Sequence, residues 1–151
     1  MITARVSKAD IDGYSRRVMR YKKKVKQEVA KDLAEAALNI RNEAVERAPV
    51  NEGRLRTSIY IQKLRGTGLL WEVGTRVKYA PYMEFGTGKL VNLRELIRAG
   101  FPTSYAAQFK GKGIRQVNIQ PRPFLFPSFN NEVPKLRKRI KQTLVKNGKS
   151  V

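Results

Sequence analysis

Residues 79–89, "YAPYMEFGTGK", place two glycines and a lysine much as a phosphate cradle would. A Walker loop needs G-x-x-x-x-G-K-[ST], because its backbone N–H groups wrap the phosphates and its hydroxyl holds a magnesium ion. Here Gly88 and Lys89 are followed by Leu90, and Met83 stands where the first glycine should be. The dinucleotide fingerprint fails too, since Val91 takes the place of its third glycine. Gly86 and Gly88 read better as turn formers behind an aromatic edge strand, in which Tyr79, Tyr82 and Phe85 supply packing area.

A metal nuclease would need converging carboxylates, and the nearest group is Glu28, Asp32 and Glu35 on one side of a helix. Lys24 lies one turn before Glu28 and Lys31 one turn before Glu35, so solvated ion pairs account for the cluster. The chain has no cysteine and no histidine. That removes disulfides, thiolate nucleophiles, Cys/His zinc sites, histidine bases and Ser-His-Asp triads together. The expectation is a protein without enzymatic activity, cofactor or metal.

The elements that must position these residues follow from periodicity. Residues 2–6, "ITARV", suit a short strand. After "DIDG" an apolar stripe runs through Val18, Tyr21, Val25, Val29, Leu33, Ala37, Ile40, Ala44 and Ala48, the steps of three and four of a long amphipathic helix. Pro49 should end it at Ala48. After a turn in "VNEGRLR" the period changes to two. Leu55, Thr57, Ile59 and Ile61, then Leu69, Trp71, Val73 and Thr75, predict an antiparallel hairpin across "RGTG".

Residues 90–119 show no sustained period beyond a helical turn or two in "NLRELIRAG", and read as a long loop or arm. "QPRPFLFPSF" allows only a short edge strand. A basic amphipathic helix is expected over about 131–147, with Pro134 tolerated in its first turn. The fold class is α+β within one domain spanning 1–151: a long helix on a small antiparallel sheet, an extended arm and a C-terminal helix.

The 151 residues carry 32 Lys and Arg against 12 Asp and Glu, a formal charge of +20. That balance favours a polyanionic neighbour. Arg16, Arg17, Arg20, Lys22, Lys23, Lys24 and Lys26 form one basic run and Lys135, Arg137, Lys138, Arg139 and Lys141 a second, with Lys110, Lys112 and Arg115 in the arm. Either run could track phosphates non-specifically or simply be a solvated helix face, and no base-reading motif accompanies them. No apolar run approaches membrane-spanning length, and "MITARVSKADID" lacks the core of a signal peptide, so a soluble protein is expected.

Three blocks, "RAPVNEGRLRTSI" (47–59), "VGTRVKYAPYMEFGTGK" (73–89) and "QPRPFLFPSF" (120–129), occur in an order and spacing that resembles the tail-component or neck proteins of long-tailed phages, the HK-type tail-completion family. The resemblance covers roughly residues 11–145. Asn51 and Glu52 depart from the family's usual Asp and Thr, and the stretch between Lys89 and Gln120 is long.

The resemblance implies a non-catalytic virion protein, made in the host cytoplasm. It would join head to tail as a homo-oligomeric ring, six-fold by preference or twelve-fold, around the DNA channel. Its neighbours would be a head-closure or portal-side protein, a tail terminator or tail-tube protein, and genomic DNA; no membrane is involved. The alternative is a non-specific DNA-binding or packaging accessory protein.

Structural roles are expected at Pro49 and Gly53 (the turn), Arg54, Leu55 and Ile59 (the start of the sheet), Tyr79, Tyr82, Glu84, Phe85, Gly86 and Gly88 (the second block), and Pro123, Phe124, Leu125 and Pro127 (bracing a last strand). Glu84, an acid in an aromatic and basic neighbourhood, is expected to pair with Arg54 or Arg122.

Overall fold

Ser7 opens the first helix with a capping box: its hydroxyl accepts from the Asp10 N–H at 3.2 Å, and Asp10 accepts from the Ser7 N–H at 3.0 Å. The Ser7 hydroxyl also donates to the Asp10 carboxylate at 2.6 Å and, with the Ser7 N–H, holds that carboxyl below its ordinary range. The computed structural model describes residues 7–50, 53–66, 68–91, 93–98, 103–110 and 118–148, so the strand expected over 2–6 lies outside it. Helix α1 runs Lys8–Arg47 and leaves helical geometry at Ala48, before Pro49 as expected. Its stripe is buried at Ala36, Ala37, Ile40 and Ala44 and becomes progressively exposed toward the N-terminus.

After Gly53 the chain forms a short helix, α2 (Arg54–Ser58), where the alternation predicted strand. Leu55 and Ile59 are both buried. Four residues apart, they share one face of a helical turn as readily as one face of a strand. Gly53, at φ +72°, reverses the chain into α2, and the Ser58 hydroxyl donates to the Leu55 carbonyl at 2.7 Å. Strands β1 (Ile59–Lys63) and β2 (Trp71–Thr75) then form the antiparallel hairpin. Tyr60 faces Gly74 across it, and the ring fills the space that a side chain at 74 would need. The Tyr60 hydroxyl donates to Glu72, which raises the phenol above its ordinary range. Arg76 lies 5.2 Å from the centre of the ring.

The expected aromatic edge strand is instead helix α3 (Ala80–Phe85). Pro81 suits its first turn, where a missing N–H costs nothing, and the Gly86 N–H bonds back to the Tyr82 carbonyl at 2.9 Å. Helix α4 (Leu93–Arg98) matches the short helix predicted there. Within the supposed arm, α5 (Thr103–Ala107) and a 3-10 turn (Gln108–Lys110) bring Phe109 into a small core with Phe85, Val91 and Leu96. A single buried aromatic leaves no period in the sequence, which is why this stretch reads as loop.

The last element, α6 (Leu125–Gly148), starts six residues before the expected boundary and replaces the predicted strand around Phe124. Pro127 falls in its first turn, while Pro134 lies in its interior, where it leaves one backbone acceptor of the preceding turn without its usual donor. Antiparallel to α1, α6 packs along its C-terminal half. The main core of Ala44, Ala48, Leu55, Ile59, Ala80 and Phe124 sits where α1, α2, the hairpin and the start of α6 meet. The α+β class, with a long N-terminal helix, a two-stranded antiparallel sheet and a C-terminal helix, is as the sequence predicts.

Candidate functional site

The three motif blocks converge. A cleft of about 380 Å³ is lined by Pro49, Gly53, Arg54 and Leu55 of the first block, by Tyr79 and Met83 of the second, and by Ile119 just before the third. The Arg56 guanidinium donates to the carbonyls of Ala48 (2.9 Å) and Glu46 (3.2 Å), closing the C-terminus of α1 with a cation.

The second and third blocks are joined by Glu84. Its carboxylate is buried, with 5% of the residue exposed, and accepts three main-chain hydrogen bonds: from the N–H of Phe124 (2.8 Å), Leu125 (3.0 Å) and Phe126 (2.9 Å). These N–H groups open α6 and have no partner within the helix, so the acid fills both their hydrogen-bonding need and the positive end of the helix dipole. The expected guanidinium partner is therefore replaced by a helix terminus. No periodicity reports such a pairing, because donor and acceptor are 40 residues apart.

Gly86 makes this approach possible. At φ +72° it lies so close to the 119–121 segment that an added Cβ would stand 2.7 Å from the Ile119 carbonyl and 2.9 Å from the Pro121 ring. Thr87 donates its N–H to the Ile119 carbonyl (3.1 Å) and accepts from the Ile119 N–H (2.9 Å), while the Arg122 N–H donates to the Met83 carbonyl (2.7 Å). Gly88 is also left-handed, at φ +64°. Glycines that resemble a phosphate loop are thus used to let two chain segments touch.

Phe124 is 1% exposed at the centre of the main core, with Leu125 packed against that core; Pro123 is exposed and Pro127 half-buried. Phe85 tilts against Phe109 (5.2 Å) and Phe126 (5.5 Å), and Tyr82 meets Phe109 edge-on at 5.7 Å. Tyr79 and Tyr82 remain exposed beside the cleft.

The acidic group on α1 has a different use from the one expected. Glu28 accepts from the Asn147 amide (2.6 Å), Asp32 from the Thr143 hydroxyl (3.0 Å), and Glu35 lies 3.9 Å from Arg139. Asn39 continues the series by donating to the buried Glu132 (3.3 Å), and Glu43 by accepting from Asn131 (2.7 Å). The Asn131 bond is the chief reason the Glu43 carboxyl is held below its ordinary range, and Arg47 adds to the effect. Successive turns of two antiparallel helices are thereby latched by polar pairs. Among the described residues no group of three acids, histidines or cysteines is placed to hold a metal ion.

The basic runs fall on two helices. Arg16, Arg17, Arg20, Lys22, Lys23, Lys24 and Lys26 are exposed on the N-terminal half of α1, and Lys135, Arg137, Lys138 and Lys141 on α6. Arg139 is committed within the chain, 2.6 Å from Glu132. Lys112, Arg115 and the side chain of Lys110 lie outside the described residues. No helix among the described residues is long and apolar enough to cross a membrane.

The helix pair is latched by polar side chains, and the segments around the motif cleft are tied by main-chain contacts. The family model described as "Bacteriophage HK97-gp10, putative tail-component" matches residues 12–86, and over that stretch the chain belongs to the HK97-gp10-like family of phage tail components. The match takes in the first block and the second through Gly86; the third, tied to the second by Glu84, lies beyond it. A tail component places the protein in the virion. No curated protein and no solved structure matched the chain significantly.

Proposed function

We propose that the protein is a subunit of the head-to-tail connector, a tail-completion ring that joins the head-closure or portal side to the tail terminator or tube and surrounds the DNA channel. The family membership of residues 12–86 carries this reading. Support comes from the absence of cysteine and histidine and from a motif cleft whose groups organise backbone. A ring subunit offers two different surfaces to its neighbours, and closure sets a small, fixed copy number. Catalysis has no part in this role.

Quantitative mass spectrometry of purified particles, with the major capsid protein as internal standard, tests it. About six or twelve copies are expected for a closed ring, six by preference. Hundreds of copies would move the chain to the tail tube, and absence from the particle would make it an assembly factor.

The seven cations exposed between Arg16 and Lys26 favour a second reading, a non-specific DNA-binding or packaging accessory. In the ring, the same cations would face the passing DNA. Tight duplex binding that weakens steeply with salt would favour the accessory role, since a conduit must let DNA slide.

A further inference from the structure

Among the described residues two apolar surfaces lack a covering element, and both involve α1. The first is on its N-terminal arm. At the last residue of α6, Gly148, an added Cβ would stand 4.0 Å from the Tyr21 hydroxyl, so residues 8–20 extend past the latched pair. At 1.5 Å per residue they project roughly 20 Å. On this arm Ile11, Tyr14 and Val18 form a single stripe and are 57%, 58% and 39% exposed. Their steps of three and four continue the seam that Tyr21, Val25 and Val29 carry toward the core, and basic side chains occupy the other faces.

The second surface is a groove of about 420 Å³ between the C-terminal half of α1, β2 and α6, lined by Leu33, Ile40, Trp71, Val73, Phe129 and Leu136 among others. Leu70 and Phe129 stand half-exposed on its rim. Glu72 is part of its lining, and Glu35, exposed and 3.9 Å from Arg139, directly precedes the lining residue Ala36, so acids neighbour it. Along α1 the arm carries Arg16, Arg17 and Arg20, with Asp10 and Asp12 nearer its tip, and the half that forms the groove carries Glu28, Asp32 and Glu35, along with Lys31 and Arg41.

The arm cannot fill its own groove. Both belong to one unbroken helix of 40 residues, and Tyr14 is roughly 33 Å along the axis from Ala36. An amphipathic helix with anchors at i, i+3 and i+7 is the kind of element that an apolar groove accepts, and the only helix that must be present in a homo-oligomer is another copy's.

We infer that the N-terminal arm of one subunit docks its Ile11, Tyr14 and Val18 stripe in the α1/β2/α6 groove of the next, with the arm cations beside Glu72 and Glu35. This contact joins different surfaces of two identical chains, so repetition gives a head-to-tail ring. It rests on the ring reading and names that ring's interface.

The cysteine-free chain permits a direct test. Under mild oxidation the double variant Tyr14→Cys/Leu70→Cys should give a ladder of covalent oligomers ending at the ring size, while each single variant stays monomeric on a denaturing gel. Val18→Glu should keep the helical circular dichroism of the parent and weaken self-association by at least about tenfold, whereas Met19→Glu, about 100° round the helix from that stripe, should not. An oligomer in native mass spectrometry with no 14–70 ladder, or with 14–14 links from the single variant, overturns the arm contact and leaves the ring standing. A chain that stays monomeric at high concentration, without links, overturns both.

Discussion

The Glu84 carboxylate lies 2.8 Å from the main-chain nitrogen of Phe124, across 40 residues of sequence, and from there caps the first turn of α6. A charged acceptor serving three otherwise unpaired donors in a buried place should matter to folding. Glu84→Gln is expected to lose about 1.5–3 kcal/mol, since the amide offers one acceptor and sets its own N–H groups against those of the helix. Urea denaturation of the two proteins measures it, and a loss below about 0.5 kcal/mol would remove Glu84 as the link between the blocks.

Gly53 and Gly86 share φ +72°, but a Cβ on Gly53 meets nothing within 4 Å, whereas one on Gly86 meets the Ile119 carbonyl. Alanine at either position pays about 1–2 kcal/mol for the left-handed backbone. At Gly86 a further ~1–3 kcal/mol is expected from overlap with the backbone. Equal midpoints for Gly53→Ala and Gly86→Ala would show that the 119–121 segment does not press on Gly86 in solution.

The α1–α6 ladder predicts coupling between residues far apart in sequence. Asn147 is 1% exposed and donates both to Glu28 and to the Thr143 carbonyl, at 2.6 and 2.8 Å. Asn147→Ala should cost about 1–3 kcal/mol. In a double-mutant cycle with Glu28→Ala the two changes should be non-additive by at least ~0.5 kcal/mol. Strict additivity would mean that the pair does not persist in solution.

Pro134 interrupts the backbone ladder of α6 on an exposed face. Pro134→Ala restores a donor and removes a steric conflict, so it should raise the melting temperature, with a gain of up to ~3 kcal/mol. A lower melting temperature would assign Pro134 a packing role that its exposure does not suggest.

The Tyr60 phenol, bonded to Glu72, holds its proton above the ordinary range near about 10. A raised folded-state value means that this bond's contribution is complete below about pH 10 and is lost as pH rises through the folded value. Glu72→Gln should bring one tyrosine's ultraviolet titration back toward the ordinary range, and Tyr60→Phe should remove that component. Because the pair is exposed, the effect on stability should be small. Unchanged titration in Glu72→Gln would break the assignment.

What the sequence by itself determined was everything carried by repetition or by a local stop. The stripe from Val18 to Ala48 and the break at Pro49 specify α1; alternation through Ile59–Ile61 and Trp71–Thr75 specifies the hairpin; and the missing cysteines and histidines exclude whole classes of chemistry. The tertiary structure decided the rest. Leu55 with Ile59, and Ala80 with Glu84, satisfy helix and strand equally over a few residues, and only the core they meet chooses. Glu28, Asp32 and Glu35 look like a solvated face until α6 comes to lie beside them, and Glu84 has no partner until Gly86 lets the third block approach. Pairings across 40 to 119 residues are set by the shape of the packed chain, for which no short window of sequence has a period.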